Sequence, residues 1–82
     1  MTIFTTAIWD DDNDGLRVEV FTSAREALRF AARWAQDAIG EGWEPVIAKL
    51  NDNGPVIFEC LLEMSEGDWD GICVIKVEAK TL

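Results

Sequence analysis

Residues 23–40 read SAREALRFAARWAQDAIG, and this stretch decides the fold class because it is the strongest helix signal in the chain. Ser23 is a natural N-cap, and Glu26 three residues later completes a capping box. Apolar residues, mostly alanine, then recur at helical spacing until Gly40, where we expect the helix to end. The sequence therefore predicts one amphipathic helix that needs an apolar surface to pack against.

The segments on either side of this helix have the character of β-strands. Two strands precede it, Ile3 to Trp9 and Leu16 to Phe21, with an Asp-rich turn segment between them. Pairing of Ile8 with Leu16 is expected to divide the hairpin into two faces. One face would carry Phe4, Thr6, Ile8, Leu16, Val18 and Val20, and the other Trp9, Arg17, Glu19 and Phe21.

Three strands are predicted after the helix: Glu44 to Asn51, Pro55 to Met64, and Gly71 to about Lys80. A three-residue loop, Asp52-Asn53-Gly54, in a type I turn with Gly54 left-handed, pairs Ala48 with Phe58 and separates apolar from polar faces best. The prediction is an α+β fold with element order ββαβββ. Residues 1–82 would form a single domain in which one helix packs on one face of a single antiparallel-rich sheet.

One helix covers only one face of such a sheet, so aliphatic residues remain on the other face. They are Ile47, Ile57, Leu61, Ile72 and Val74, among Lys49, Glu59, Glu63, Lys76 and Glu78. This face is either a contact surface, such as that of a structural or regulatory homodimer, or a surface shielded by its long charged side chains. On the covered face, Cys60 and Cys73 are expected to lie almost opposite each other, buried and reduced, as in a cytoplasmic protein.

The chain is strongly acidic, with sixteen Asp and Glu, seven Lys and Arg, no His and a net charge of −9. Such a charge argues against direct binding of nucleic acid or of an anionic membrane, and it favours basic partners; the alternative is that it serves solubility alone. The predicted topology gathers the acidic loops at one end of the molecule. These residues are Asp10, Asp11, Asp12 and Asp14, then Asp37, Glu41 and Glu44, then Glu66, Asp68 and Asp70.

Trp9 and Trp69 are predicted to reach the same end. Aromatic anchors ringed by charge are common in binding hot spots, although Trp69 is equally suited to capping the core. We interpret Trp34 and Trp43 as structural. The arginines at four-residue steps from Arg25 to Arg33 have the spacing of a solvated helix face.

Catalytic and cofactor motifs are missing from the sequence, so we predict no enzyme activity and no cofactor. Without histidine, the chain has no imidazole base to activate a nucleophile, and its glycines form no phosphate-binding loop. Asp10-x-Asp12-x-Asp14-Gly15 matches the first half of a calcium loop. Phe21 stands at the twelfth position, where such a loop has Glu, so a calcium site would need Glu66, Asp68 or Asp70 from the neighbouring loop. We predict no metal site.

In size, charge and lack of catalytic residues, the whole chain resembles the small acidic inhibitors of phages and mobile elements, such as anti-CRISPR and anti-restriction proteins. It is similar also to the acidic immunity proteins that neutralise nuclease toxins. The resemblance implies a protein of the host-cell cytoplasm whose carboxylates occupy a basic nucleic-acid-binding groove on a larger protein or nucleoprotein complex. It carries over no individual residue.

Overall fold

A computed structural model describes residues 1–10, 15–51, 54–67 and 69–82. One five-stranded antiparallel sheet and one helix follow each other in the order ββαβββ, which confirms the predicted α+β fold. The elements are β1 (Thr2–Asp10), β2 (Gly15–Phe21), α1 (Ala24–Gly40), β3 (Glu44–Leu50), β4 (Val56–Glu66) and β5 (Trp69–Thr81). In space the strands lie in the order β2-β1-β5-β4-β3, so the last strand is the central one.

The helix begins at the predicted cap and ends at Gly40, as predicted. The Glu26 backbone N–H donates to Ser23 Oγ at 3.4 Å. Gly40 is still helical, Glu41 is the C-cap, and the left-handed glycine after the helix is Gly42, with φ of 108°. The Gly42 and Trp43 backbone N–H groups then donate to carbonyls of the last helical turn, which is the Schellman arrangement.

The core lies between α1 and the covered face of the sheet. Ala27 and Ala31 of α1 are fully buried, as are Leu62 of β4 and Ile75 and Val77 of β5. Alanine on the buried stripe lets the helix backbone approach the sheet closely. A hydrogen bond fixes that approach, because the buried Thr6 hydroxyl of β1 donates to the Ala27 carbonyl at 2.9 Å.

The register of the first hairpin corrects our prediction by one residue. Trp9 pairs with Leu16 and Ala7 with Val18, so Leu16, Val18 and Val20 lie on the uncovered face, together with Trp9. Asp10 pairs with Gly15, one residue away from the predicted register. Such a shift moves every side chain of β2 to the opposite face of the sheet. Arg17, Glu19 and Phe21 belong to the helix side, where the Phe21 and Phe30 ring centroids are 5.5 Å apart.

The second hairpin keeps the predicted faces but shifts by two residues. Ala48 pairs with Cys60 and Leu50 with Phe58. Gly54 has the predicted positive φ, 101°, whereas Asp52 and Asn53 of the predicted turn lie outside the described residues. Ile57 was predicted on the uncovered face, but it packs against the buried core cluster. The register between β4 and β5 shifts at this point, between Val56 and Phe58.

Cys60 and Cys73 are both buried and are not joined in a disulfide, as predicted. They do not lie opposite each other, because Cys60 pairs with Ile75 and Cys73 with Leu62. The two thiols therefore share the covered face at one diagonal step. Burial raises the pKa of the Cys60 thiol above its ordinary value of 9.0.

Candidate functional site: an acidic end with a tryptophan-lined cavity

The antiparallel topology places one group of chain turns at a single end of the sheet. β1, α1 and β4 finish there, and β2, β3 and β5 begin there. The carboxylates at these positions form what we call the acidic end; its described members are Asp10, Asp37, Glu41, Glu44, Glu66 and Asp70. Asp11, Asp12, Asp14 and Asp68 of the predicted set lie outside the described residues, and of Trp69 only the backbone, the first residue of β5, is described.

Most basic residues lie away from this end; the exception on the strands is Arg17, two residues after the start of β2. Four are arginines, one on β2 and three along α1, and three are lysines, one on β3 and two on β5. Arg25 in the first turn of α1 and Lys80 near the end of β5 mark the opposite end of the molecule. The electric field of the protein is therefore negative at one end, and it attracts cationic groups towards that end.

The last turn of α1 increases the negative potential. It contains no basic residue, while Asp37 lies within it and Glu41 caps it. The carbonyl groups of a helix C-terminus carry a partial negative charge, so carboxylates there reduce the stability of the helix. These carboxylates are thus poorly explained by the needs of the fold and are better suited to receiving a cation.

A cavity of about 350 Å³ opens beside that helix end. Its lining combines three carboxylates with two tryptophans: Asp10, Trp34, Asp37, Ala38, Glu41, Trp43 and Cys73. The Schellman arrangement builds one wall, because the Trp43 N–H donates to the Ala38 carbonyl at 3.0 Å and holds the indole near the helix end. Trp43 is 7% exposed, so most of its indole packs in the core and only a small part borders the cavity.

Trp34 forms another wall one helical turn before Ala38. Its ring already carries one cation, since the Arg17 guanidinium of β2 lies 5.5 Å from the ring centroid. The same guanidinium is 5.8 Å from the Phe30 ring and is paired with Glu19 at 3.2 Å. We call this group of walls and carboxylates the Trp-carboxylate cavity.

A second cavity, of about 490 Å³, lies at the same end on the other side of the turn after α1. Its lining includes Glu44, Glu63, Met64 and Asp70, and the Ser65 hydroxyl donates to Asp70 Oδ1 at 2.8 Å. Glu63 was not in our predicted site. Its pairing with Glu44 across β3 and β4 brings the two carboxylates together, and register is the signal that would have identified it.

Aromatic and acidic groups in this arrangement are suited to binding ammonium and guanidinium groups. Carboxylates form charge-assisted hydrogen bonds with such cations, and indole faces attract them through the ring quadrupole. Among residues 1–10, 15–51, 54–67 and 69–82, no group of three or more Cys, Asp or Glu side chains is arranged to hold a metal ion.

The two tryptophans of the Trp-carboxylate cavity are not the two that were predicted to bind. Trp9 directly precedes Asp10 at the end of β1, but it lies on the uncovered face, where it is 44% exposed and pairs with Leu16 and Val74. Trp43 is a core residue, as predicted, and Trp34 packs beside the core, yet both also line the Trp-carboxylate cavity. Sequence analysis missed this second role, although Trp34 and Asp37 are three residues apart and therefore neighbours on one helix face.

Comparison with models of protein families, with curated proteins and with solved structures finds no match to this chain. The helix in the described part of the chain is too short and too polar to cross a membrane.

Proposed function

We propose that this protein is a non-catalytic, inhibitory binding module whose acidic end occupies a basic nucleic-acid-binding surface on a larger protein or nucleoprotein complex. The observation that carries the proposal is the Trp-carboxylate cavity, in which Asp37 and Glu41 stand beside Trp34 and Trp43. An exposed acidic surface alone serves solubility. A concave site with aromatic walls gives a cationic side chain a defined place.

The proposed mechanism is imitation of nucleic-acid phosphates. A groove that binds nucleic acid presents Lys and Arg side chains at intervals set by the phosphate backbone. Carboxylates of the acidic end would pair with some of these side chains, and one Lys or Arg would enter the cavity between the indoles. Long-range attraction towards the −9 chain accelerates encounter, while the enclosed cation slows dissociation.

The same surface chemistry suits two kinds of partner. One is a nucleic-acid-handling complex, as for the anti-CRISPR and anti-restriction proteins that the chain resembles. The other is a nuclease toxin, as for the immunity proteins. In both cases the protein competes with nucleic acid for a basic groove and does not itself bind DNA or RNA.

The test compares two double variants of equal charge with a fluorescent arginine homopeptide as the probe. Asp37→Asn with Glu41→Gln neutralises the cavity, whereas Glu26→Gln with Glu78→Gln neutralises two carboxylates away from the acidic end; each pair changes the net charge from −9 to −7. We expect the first pair to weaken peptide binding at least about fivefold more than the second, or about 1 kcal/mol. Tryptophan fluorescence of the wild type should also change on binding.

Equal weakening by the two pairs would mean that net charge alone attracts the peptide, and the proposed site would be wrong. A second measurement addresses inhibition. The protein should displace a fluorescent DNA duplex from a Lys/Arg-rich DNA-binding domain, and the displacement should weaken with salt between about 50 and 300 mM. A shift of the duplex by the protein alone would contradict phosphate imitation.

A further inference from the structure

The two edge strands of the sheet differ in how well they are protected against pairing with another chain. β2 and β3 each have one neighbour in the described sheet, so each has a second side of backbone N–H and C=O groups that faces outward. On β3, this edge carries Pro45 and Lys49, and its register with β4 shifts between Pro45 and Ile47. Proline, lysine and a bulge are devices by which natural edge strands avoid further pairing.

The β2 edge lacks these three devices. Its seven residues contain neither Pro nor Lys. All seven belong to the described part of the chain and pair with β1 without a register shift. Its charged side chains, Arg17 and Glu19, lie on the helix side and form an ion pair with each other. The regular backbone of β2 is therefore suited to the addition of a further strand.

The hydrogen bonds at the chain termini show which backbone groups of β2 face outward. Met1 and Leu82 each donate to the carbonyl of the other, so they form a hydrogen-bonded pair of β1 and β5. Because such pairs alternate along an antiparallel ladder, odd-numbered residues of β1 bond to β5 and even-numbered residues bond to β2. The even-numbered residues lie opposite odd-numbered residues of β2. The N–H and C=O groups of Leu16, Val18 and Val20 therefore point away from the sheet.

The side chains of these three residues lie exposed along the same edge, on the uncovered face. Leu16 is 65% exposed, Val18 48% and Val20 60%. A strand added to β2 would place every second side chain beside them, and apolar, β-branched side chains there would bury this surface. The remaining side chains of the added strand would point to the helix side of the sheet.

A cavity of about 250 Å³ lies on that helix side, between the end of β2 and α1. It is lined by Phe21, Glu26, Arg29, Phe30 and Arg33. Because α1 packs mainly over the inner strands β1 and β5, this cavity lies towards the β2 edge. We call it the Arg-Phe cavity. It shares no lining residue with the Trp-carboxylate cavity.

The chemistry of the Arg-Phe cavity favours an acidic and aromatic occupant. Arg29 and Arg33 are four residues apart and therefore neighbours on one face of α1. Glu26 lines the same cavity, but no described carboxylate forms an ion pair with either arginine. A guanidinium binds a carboxylate through two parallel hydrogen bonds, and Phe rings pack against another aromatic ring.

We propose that the β2 edge binds an extended, acidic segment of another protein, which adds to the sheet as a further strand. One row of its side chains is apolar and covers Leu16, Val18 and Val20, while the other row places carboxylates and an aromatic ring in the Arg-Phe cavity. A second copy of this chain fits less well. Its β2 would offer one carboxylate, Glu19, which Arg17 already holds.

This binding site goes beyond the proposed function and is independent of it. The acidic end of the protein attracts basic groups, whereas the Arg-Phe cavity takes carboxylates. The net charge of −9 repels an acidic segment, so its binding reports on the local arginines and not on the charge of the whole chain.

The first test uses a short, capped, fluorescent peptide in which valine alternates with aspartate, phenylalanine and aspartate. Fluorescence anisotropy should show binding to the wild type, and an otherwise identical peptide with asparagine in place of aspartate should bind at least about fivefold more weakly. Arg29→Gln with Arg33→Gln should weaken binding of the aspartate peptide by a similar factor. Lys49→Gln with Lys80→Gln is the control, because each pair changes the net charge from −9 to −11.

The second test concerns the backbone of the two edges. Val18→Pro removes an N–H that points outward, which an edge strand tolerates. Ala48→Pro does the same on β3, where the Asn51 N–H donates to the Ile57 carbonyl and the alternation turns the Ala48 N–H outward. Val18→Pro should weaken peptide binding at least about tenfold, and Ala48→Pro should leave it unchanged. Circular dichroism checks that both variants fold.

N-methylation of the peptide tests strand addition without altering the protein. Methyl groups on the valine nitrogens should abolish binding, because these N–H groups face β2 in antiparallel addition. Methyl groups on the alternate nitrogens should have little effect. Sensitivity of the alternate nitrogens alone would show parallel addition to the same edge. Equal effects of the two methylated peptides would overturn strand addition.

Three further results would overturn the proposal. They are failure of the wild type to bind the aspartate peptide at high micromolar concentration, equal effects of the arginine and lysine double variants, and a wild-type dimer that Val18→Pro converts to a monomer. The last result would assign the edge to a second copy. Asp37→Asn with Glu41→Gln should bind the aspartate peptide no more weakly than the wild type does. Arg29→Gln with Arg33→Gln should likewise retain binding of the arginine homopeptide, so the two proposals can fail separately.

Discussion

The two faces of the sheet are built from neighbouring residues of the same strands, yet they differ in how far their side chains are buried. On β4, Leu62 is fully buried under α1, whereas Leu61 points to the other side and is half-buried. The covered face excludes water and supplies most of the free energy of folding, as apolar burial does in general. The uncovered face keeps apolar side chains, among them Leu16, Trp9 and Ile47, that remain in contact with solvent. The comparison teaches that the degree of burial, more than apolar character, decides how much a side chain of this sheet contributes to stability.

The difference between the two faces should be largest in the stability lost when Leu62 or its neighbour Leu61 is replaced by alanine. Leu62→Ala should lower the free energy of unfolding by about 2–5 kcal/mol, because it leaves a cavity beneath the helix. Leu61→Ala should cost about 1 kcal/mol, because its site already contacts solvent and can relax. Urea unfolding at one low protein concentration measures both values. Equal losses would show that the two faces contribute alike.

A smaller effect is expected where the helix is attached to the covered face. Thr6→Val keeps the shape of the side chain and removes the hydrogen bond to the Ala27 carbonyl, which should cost about 1 kcal/mol. Thr2→Val, at the exposed start of the same strand, is the control and should be nearly neutral. Thermal unfolding of the pair should separate them; no difference would mean that the bond adds nothing to stability.

At the edge of the covered face, the contacts of Arg17 with aromatic rings should contribute more to stability than its ion pair with Glu19. Arg17→Gln removes the guanidinium from the Phe30 and Trp34 rings and should cost about 0.5–1 kcal/mol. Glu19→Gln removes only the carboxylate of an exposed pair, so its effect should lie near zero. High salt should leave the effect of Arg17→Gln largely unchanged. A loss from Glu19→Gln as large as that from Arg17→Gln would reverse this ranking.

The smallest effect at neutral pH concerns the thiols of the covered face. Because burial raises the pKa of Cys60, the folded state holds its proton to higher pH than the unfolded state. The resulting stabilisation is complete below the ordinary pKa of 9.0 and is lost as pH rises through the higher folded value. Native alkylation of Cys60 should be much slower than that of a cysteine introduced at exposed Val18. Comparable rates would contradict its burial.

The sequence predicted the elements well because their signals are local. The Ser23 cap, the alanine stripe and the alternating strands each depend on neighbours within a few residues. The faces of β2 were predicted wrongly because both of its faces have apolar character. Leu16, Val18 and Val20 alternate like core residues, but Phe21 and the stem of Arg17 pack on the helix instead.

The acidic end followed from topology alone, because strand direction is enough to bring the loops together. The Trp-carboxylate cavity did not follow, since it depends on where Trp43 lies after the helix turn at Gly42. The position of Leu16 on the uncovered face was equally hard to predict, because the wrong register of the first hairpin placed it on the covered face.

The two termini of the chain meet at the end of the sheet farthest from the acidic end. The Leu82 backbone N–H donates to the Met1 carbonyl at 2.7 Å, and the Met1 amino group donates to the Leu82 carbonyl at 3.4 Å. A linker joined to either terminus would therefore leave the molecule at the same place. Immobilised through such a tether, the protein would present its acidic end outward.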